Sequence, residues 1–426
     1  MVWTGTTEER RRTRQLGKPP RAYSQCSSAI RASRGIRSNL AVARLGRGIS
    51  PVDFDRAIVR TPFSSTKWNK YHDRDVIPLW VADMDFASPP SVLEALHRRV
   101  DHGILGYTDA PGSLVDAVQC YAERHYRWTI EADWLVWLPG LVPGLNLACR
   151  AVGQDGDTVL TATPVYPPFL HAPPQSARNL QTVPLVDTAE GWRWDLGALE
   201  EAVSPRTRLL LLCHPHNPVG RAWRPEELAG LIDVAERHGL TICSDEIHCD
   251  LLLDPTLRHT PLACVAPAFA DRTITLMAPS KTWNLPGLGC SFAVIPDRGL
   301  RRRFRSAMAG LVPHVNALGF TAAEAAYRDE GAWLSELLVY LRGNRDLLLD
   351  WLAASSYLKA ATPEATYLAW IDARAVDPAN PLPHFEALGV GPSDGRDFGF
   401  PGYVRLNFAC RRALLQQALE RLAPLR

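Results

Sequence analysis

Three polar side chains follow consecutive short apolar segments of this chain. Asn217 follows the segment Leu209–Cys213, and Asp245 follows the next apolar segment. Lys281 follows a third segment, Thr273–Met277. Because ligands of open α/β sheets bind at the carboxyl ends of the strands, an amide, a carboxylate and an amine are expected to converge there. An amine enclosed in such a cleft has a lowered pKa and can form a Schiff base with a carbonyl compound.

A carboxylate that faces such an amine suits one cofactor in particular. Asp245 would keep the ring nitrogen of pyridoxal 5'-phosphate (PLP) protonated, and the protonated ring then withdraws electrons from a bound amino acid. Taken singly, Lys281 has the plainer interpretation of a solvated surface lysine, and Asp245 that of a helix cap. The ordered set of three is more specific than any member, and it predicts a PLP-dependent enzyme.

The elements that must position these residues alternate between strand and helix patterns. Short apolar runs typical of buried strands lie at 158–162, 209–213, 240–244 and 273–277. Amphipathic helices are predicted at 90–100, 114–126 and 225–238. Ser88 is the expected N-cap of the first helix, and Gly239 ends the third. The alternation predicts an α/β fold with a mostly parallel central sheet flanked by helices.

Composition and periodicity divide the chain into four segments. Residues 1–48 carry eleven arginine or lysine side chains against two glutamates, which predicts a basic, disordered extension. An organelle transit peptide, an upstream start codon and a nucleic-acid-binding arm are alternatives for this extension. Residues 49–98 are assigned to the N-terminal part of a small domain, 99–328 to a large cofactor-binding domain, and 329–426 to a small C-terminal α+β domain.

The composition of the 426 residues excludes several classes of protein. A net charge of +2 argues against bulk electrostatic binding of nucleic acid or membranes. The apolar runs fall short of the roughly 18 residues that a membrane helix needs. The nine cysteines include no Cys-x-x-Cys pair, which predicts reduced thiols and no metal site. The expected protein is cytoplasmic, with no membrane or nucleic-acid partner.

The motifs around the three polar residues resemble those of a known family. Asn217 opens an Asn-Pro-x-Gly motif, Asp245 follows it by 28 residues in Asp-Glu-Ile-His, and Ser-Lys281 follows Asp245 by 36. This arrangement resembles fold-type I PLP-dependent enzymes of the class I/II aminotransferase superfamily, over residues 53–426. The stretches 80–86 (Trp-Val-Ala-Asp-Met-Asp-Phe) and 106–108 (Gly-Tyr-Thr) further resemble the C–S lyase subgroup, the cystathionine β-lyases and cystalysin-like enzymes.

The resemblance implies a role for the residues nearest the reaction. Lys281 matches the lysine that binds the cofactor as a Schiff base and, once free, takes the Cα proton of the substrate. Asp245 matches the partner of the ring nitrogen, and Asn217 the donor to the ring hydroxyl. Arg405 matches the arginine that binds the substrate carboxylate through two hydrogen bonds. His248 stands where many aminotransferases have tyrosine, and its cofactor-binding role is open.

The other candidates concern the ring face and the phosphate. Tyr166 matches the aromatic residue that stacks on the ring. The backbone of a turn at a helix N-terminus would hold the phosphate, with a hydroxyl from Ser280. This turn consists of Gly140, Leu141 and Val142. Tyr107 matches a tyrosine that reaches the phosphate of the other subunit, which implies a homodimer with shared active sites.

Some interpretations stay open at this point. The plainer ones are core packing for Tyr166, a subunit interface for Tyr107, a turn for Gly140 and an exposed edge strand for Arg405. The lysine motif lacks the arginine near 287–289 that many aminotransferases use for the phosphate, which also resembles the lyase subgroup. The segment 310–316 matches no pattern that would define the substrate.

The implied function is a PLP-dependent C–S β-lyase that cleaves cystathionine or a cysteine S-conjugate to a thiol, pyruvate and ammonia. A thiol with a pKa near 8.5 leaves the β-carbon as thiolate with little help from an acid. The alternatives are an aminotransferase, a secondary-metabolism PLP enzyme that deaminates or decarboxylates an S-conjugated amino acid, and a regulatory protein that retains the fold.

Overall fold

The computed structural model describes residues 52–426, and the extension predicted at residues 1–48 lies outside the described residues. The strands are β1 (Ile77–Pro78), β2 (Leu135–Leu138), β3 (Thr158–Thr163), β4 (Asn179–Pro184), β5 (Val186–Thr188), β6 (Gly191–Arg193), β7 (Thr207–Cys213), β8 (Thr241–Asp245), β9 (Thr273–Met277), β10 (Ser291–Val294), β11 (Lys359–Ala360), β12 (Leu368–Asp372), β13 (Val390–Gly391), β14 (Ser393–Asp394) and β15 (Tyr403–Asn407).

The helices contribute most of the remaining regular structure. They are α1 (Thr66–Asn69), α2 (Pro90–Asp101), α3 (Gly112–Tyr126), α4 (Leu141–Ala151), α5 (Pro168–Gln175), α6 (Leu196–Ala202), α7 (Pro225–Arg237), α8 (Leu262–Val265), α9 (Arg298–Met308), α10 (Ala317–Tyr327), α11 (Trp333–Ala353), α12 (Leu382–Ala387) and α13 (Arg412–Arg421). Short 3-10 turns lie at Thr61–Phe63, Ala132–Trp134, Pro267–Arg272, Pro286–Leu288, Gly395–Phe398 and Ala423–Leu425.

The largest sheet has seven strands in the order β2-β10-β9-β8-β7-β3-β4. The run from β9 to β4 is parallel, whereas β10 pairs with both of its neighbours in the antiparallel sense. Strands β7, β8 and β9 are buried along almost their whole length, as expected for parallel strands covered on both faces. The predicted α/β fold with a mostly parallel sheet is confirmed.

The register of the three central strands sets the position of the site. Cys213 at the end of β7 pairs with Asp245, the last residue of β8. Asp245 in turn pairs with Leu276, one residue before the end of β9. The three strands therefore end side by side, and the loops that carry Asn217 and Lys281 leave from the same edge of the sheet.

A second sheet lies in the C-terminal part of the chain. Its order is β11-β12-β15-β14, and its pairs are antiparallel. The pairing of β1 with β13 joins residues 77–78 to this part of the chain. The division into domains at residues 49–98, 99–328 and 329–426 stays a prediction.

The predicted helices and strands lie within a few residues of the observed ones, but the cap assigned to α2 is wrong. Pro89 is the N-cap residue of α2, and the helix begins at Pro90. The Ser88 hydroxyl instead donates to the carbonyl of Asn284. Because a proline fixes φ near its helical value and has no N–H to satisfy, the helix starts at the Pro-Pro pair without a side-chain cap.

No helix within residues 52–426 is long and apolar enough to cross a membrane.

Candidate active site

A cavity of about 220 Å³ lies at the carboxyl ends of β7, β8 and β9. Nine of the residues predicted from the sequence line it: Gly140, Leu141, Val142, Tyr166, Asn217, Asp245, His248, Ser280 and Lys281. Arg405 contacts this group through a hydrogen bond to Asn217. Tyr107 does not line the cavity of its own chain, and its side chain is fully exposed. The strand order thus brings together residues that are far apart in sequence.

The amine of Lys281 is held by backbone rather than by a carboxylate. Its Nζ donates to the carbonyl oxygen of Ala82 at 2.6 Å. Burial and, to a smaller extent, the nearby Arg405 cation lower the pKa of Lys281 to about 8, although Asp83 and Asp245 act in the opposite direction. A substantial fraction of the amine is therefore neutral near pH 8, which is the form that attacks a carbonyl carbon. The interpretation of Lys281 as a solvated surface residue is wrong.

Asp245 ends β8 with 5% of its surface exposed. Burial raises the pKa of its carboxyl group to about 7, although the backbone N–H of Ile247 donates to Oδ1 at 3.1 Å and Lys281 favours the charged form. Among the described residues, no cation lies within ion-pair distance of this carboxylate. A protonated ring nitrogen placed in the cavity would supply that missing charge, so the donor set fits PLP.

Arg405 lies on β15, which is an inner strand between β12 and β14. The side chain is buried, and burial lowers its pKa to about 10. Nη1 donates to Asn217 Oδ1 at 3.0 Å, and Nη2 donates to the Trp80 carbonyl at 2.8 Å and to Ser393 Oγ at 3.2 Å. Nε is buried without a hydrogen-bond partner. The exposed edge-strand interpretation is therefore wrong, and a buried guanidinium that lacks a carboxylate suits an anionic ligand.

The N-terminus of α4 faces the cavity through Leu141 and Val142. Gly140 is the N-cap residue, no side chain caps the helix, and its first turn contains no acidic residue. The first backbone N–H groups of a helix have no intrahelical acceptor, and the helix dipole favours an anion there. Ser280 lines the same cavity from the loop after β9. These groups fit a phosphate.

Tyr166 and His248 line the cavity with different chemistry. The backbone N–H of Tyr166 donates to the carbonyl of Asn217 at 3.0 Å, which fixes the loop that carries the ring. His248 is 2% exposed, and its Nδ1 has no hydrogen-bond partner. Burial, together with the Lys281 and Arg405 cations, holds the pKa of His248 well below its usual value. The imidazole is therefore neutral at physiological pH.

The contacts that the sequence did not predict come mostly from backbone carbonyl groups. The carbonyl of Ala82 accepts hydrogen bonds from Lys281 and from the hydroxyl of Tyr367, the latter at 3.0 Å. The carbonyl of Trp80 accepts from Arg405. Residue types do not reveal which carbonyl groups are used, and the only signal in the sequence was the 80–86 motif that carried the family resemblance.

The fold and the site together define a fold-type I PLP enzyme. The family described as aminotransferase class I and II matches residues 74–422. The chain belongs to this family.

Individual relatives extend over nearly the same part of the chain. Cystathionine beta-lyase PatB of Bacillus subtilis (strain 168) is 37% identical over 387 residues, which covers 87% of this chain and 99% of the relative. The protein in the crystal structure of OvoB is 44% identical in sequence to this chain, and the two structures align with a TM-score of 0.86. The alignment covers 88% of this chain and 98% of that one. Cystalysin of Treponema denticola, a structure that contains a pyridoxal 5'-phosphate cofactor, is 32% identical with a TM-score of 0.84 and the same coverage.

The raised pKa of Asp245 predicts how pH affects the stability of the cofactor-free protein. A carboxyl group whose pKa is raised by folding stabilises the fold fully below its ordinary pKa, and this stabilisation is lost as the pH rises through about 7. We expect Asp245→Asn to raise the free energy of unfolding by about 2–4 kcal/mol at pH 8 and to change it little at pH 4. Urea unfolding of the wild type and the variant at both pH values measures this change. The same change in the free energy of unfolding at pH 4 and pH 8 would contradict a raised pKa for Asp245.

Proposed function

We propose that this protein is a PLP-dependent C–S β-lyase that cleaves an amino-acid thioether, either cystathionine or another cysteine S-conjugate. The observation that carries the proposal is that Lys281 and Asp245 line one cavity, while Arg405 donates to Asn217 of the same cavity wall. No salt bridge joins any of the three to another of the described residues. Relatives named as cystathionine β-lyases and C–S lyases support the activity. The sequence-based predictions of PLP and of a lyase agree with these relatives.

The residues present would hold PLP at four points. The N-terminus of α4 and Ser280 would bind the phosphate, Tyr166 would cover the ring, Asp245 would pair with the ring nitrogen, and Lys281 would carry the carbonyl carbon as a Schiff base. When bound, PLP supplies an electron-withdrawing ring that stabilises negative charge on the Cα atom of an attached amino acid. This role for each residue is our proposal.

Arg405 would orient the substrate. Its Nε is unpartnered, whereas Nη1 and Nη2 already donate within the protein. A carboxylate can therefore approach the Nε side of the guanidinium without breaking these bonds. Because the bond from Nη1 uses the oxygen of Asn217, the amide N–H groups of Asn217 stay available to donate to the ring hydroxyl.

Lys281 would move the proton that starts the elimination. Its neutral amine takes the proton from Cα, and the electron pair released at Cα then expels the sulfur from Cβ as thiolate. Hydrolysis of the remaining fragment adds one water and gives pyruvate and ammonia. The leaving thiolate is a weak enough base to depart without a dedicated acid, which agrees with a neutral His248 in the cavity.

An aminotransferase is the second candidate, and the family name itself favours it. It would use the same lysine, aspartate and arginine, so those residues do not discriminate between the two reactions. A transferase must hold its amino group on the cofactor until a keto acid accepts it. A lyase returns to its starting form in every turnover.

We therefore expect the purified holoenzyme to turn over a cysteine thioether many times without any added keto acid. Thiol, pyruvate and ammonia should appear in equal amounts, because each cleavage releases one of each. Parallel assays of the three products measure this, with alanine as a control substrate that lacks a β-leaving group. A single turnover that resumes only when a keto acid is added would establish the transferase instead.

We also propose that the enzyme is a homodimer whose partner subunit completes each site. Large apolar side chains are exposed on this chain at Phe63, Ile104, Leu105, Tyr107 and Leu311. Two of them, Leu105 and Tyr107, belong to a cleft that residues 105–109 and 313–318 line. An exposed apolar surface of this kind is typical of an interface. The proposal assigns Tyr107 to the phosphate of the partner's site. A cytoplasmic location remains a prediction from the sequence.

Mixing two inactive variants tests the shared site. Lys281→Ala lacks the amine, and Tyr107→Phe lacks the hydroxyl proposed to bind the partner's phosphate. In a mixed dimer one of the two sites carries both native residues, so subunit exchange should restore about a quarter of the wild-type activity at equal mixing.

The control for this mixing experiment is Lys281→Ala exchanged with a second Lys281→Ala preparation, which should stay inactive. A monomer in solution, or no recovery after exchange has been demonstrated, would contradict the shared site.

A further inference from the structure

Residues 80–86, here called the strap, run past the two cationic residues of the site. The Ala82 carbonyl accepts the hydrogen bond from Lys281 at 2.6 Å, and the Trp80 carbonyl accepts the one from Arg405 at 2.8 Å. Both hydrogen bonds go to backbone of the same short segment. The positions of the amine and of the guanidinium therefore depend on where the strap lies.

Four charged side chains outside the cavity wall join the strap to the segment that precedes it, and we call them the ion cluster: Arg60, Lys67, Asp83 and Asp85. Arg60 donates through Nη2 to Asp83 Oδ2 and through Nη1 to Asp85 Oδ1, each at 2.6 Å. Lys67 donates through Nζ to Asp85 Oδ2 at 2.8 Å. The two anions belong to the strap, and the two cations belong to the segment 60–67 that precedes it.

Because Lys67 and Asp85 are buried, the charges of the ion cluster need partners of opposite charge. Lys67 is fully buried, and Asp85 is 8% exposed. Burial by itself would raise the pKa of Asp85, but Lys67, Arg60 and the indole N–H of Trp68 outweigh it and lower the pKa. Two cations balance two anions, so removing one partner leaves an uncompensated charge that must move or become hydrated.

The ion cluster does not line the cavity. Neither its two cations nor its two anions belong to the cavity wall, whereas Ala82 of the strap does. Asn407 also holds the strap, by donating to the carbonyl groups of Val81 and Asp83 at 2.6 and 2.7 Å. The ion cluster therefore attaches the strap through charged side chains that do not form part of the cavity wall.

We propose that Arg60, Lys67 and Asp85 are positioning residues of the active site, which fix the strap so that the Ala82 and Trp80 carbonyl groups hold Lys281 and Arg405 in place. The inference rests on the proposed role of Lys281, but it concerns only how this chain holds the amine.

The test measures Lys281 in the cofactor-free protein, so it does not depend on lyase activity. Competitive labelling of the amine with dinitrofluorobenzene across a pH series, read by mass spectrometry of the Lys281 peptide, measures its pKa. We expect a value of about 8 in the wild type. The charged groups that act on this amine are Arg405, Asp83 and Asp245, with neutral His248 in the same cavity.

Removing a cation of the ion cluster distinguishes two effects on Lys281: movement of the Ala82 carbonyl group, and a change in the electrostatic potential at the amine. A carbonyl acceptor favours the ammonium form, so an Ala82 carbonyl that moves away lowers the pKa of Lys281. Loss of a nearby positive charge alone would raise that pKa. We expect Arg60→Met and Lys67→Met each to lower the pKa of Lys281 by about half a unit or more. A rise or no change would overturn the proposal.

Further variants cover the case in which Lys67→Met does not fold. Arg60 is partly exposed, so its replacement should destabilise the fold less than replacement of the fully buried Lys67. The double variant Lys67→Met/Asp85→Asn keeps the net charge of the ion cluster, so a field effect predicts no shift and positioning predicts a lowered pKa. Lys67→Arg should restore the wild-type value, and an unshifted double variant would contradict the inference.

Arg178→Met is the matched control. Arg178 is buried, as are Lys67 and Asp85 of the ion cluster, and it pairs with Asp155 at 2.7 Å. Its other hydrogen bonds go to carbonyl groups of Val152, Gly153 and Ser176, none of which lies in the strap or the cavity. This variant should lose stability while the pKa of Lys281 stays at the wild-type value. An equal shift in Arg178→Met would mean that any loss of a buried cation has the same effect, and would overturn the proposal.

Discussion

The parallel register of β7, β8 and β9 is the constraint on which the rest of the site depends. Cys213 pairs with Asp245, and Asp245 pairs with Leu276, so three loops leave the sheet at one level. A shift of one residue in β8 would turn Asp245 to the opposite face of the sheet. The three strands are buried along almost their whole length, so such a shift would place every side chain against different packing partners. Core packing thereby determines where the chemistry takes place.

The site keeps three ionisable groups apart and poorly compensated. Lys281 donates to a backbone carbonyl, Arg405 to an amide, a hydroxyl and a carbonyl, and Asp245 accepts from a backbone N–H. Buried charges of this kind are costly unless a partner of opposite charge is present. A ligand with a cationic ring nitrogen and a substrate carboxylate would supply the two missing partners. This cost therefore favours binding of a cofactor and a substrate that carry those charges.

The fold and nine residues of the cavity wall were predictable from the sequence. Local patterns indicated the strands and the polar residues Asn217, Asp245 and Lys281, whereas the family resemblance supplied the other six. The apolar run 273–277 coincides with β9, and the polar residues after each central strand end up around one cavity. The antiparallel insertion of β10 between β9 and β2 depends on long-range pairing that no local period reveals. The strap carbonyl groups were missed because every residue has one, and only the packed structure shows which are used. Ser88 was misassigned because the Pro-Pro pair after it starts the helix unaided.

The most direct test of the central claim is the identity of the lysine that holds the cofactor. Holoenzyme is reduced with borohydride, which makes the Schiff base permanent, and the digested protein is analysed by mass spectrometry. If the three strand ends form the catalytic site, the pyridoxyl mass appears on Lys281, and the Lys281→Ala protein carries no such mass on any lysine. Finding the modification on a different lysine would contradict the account.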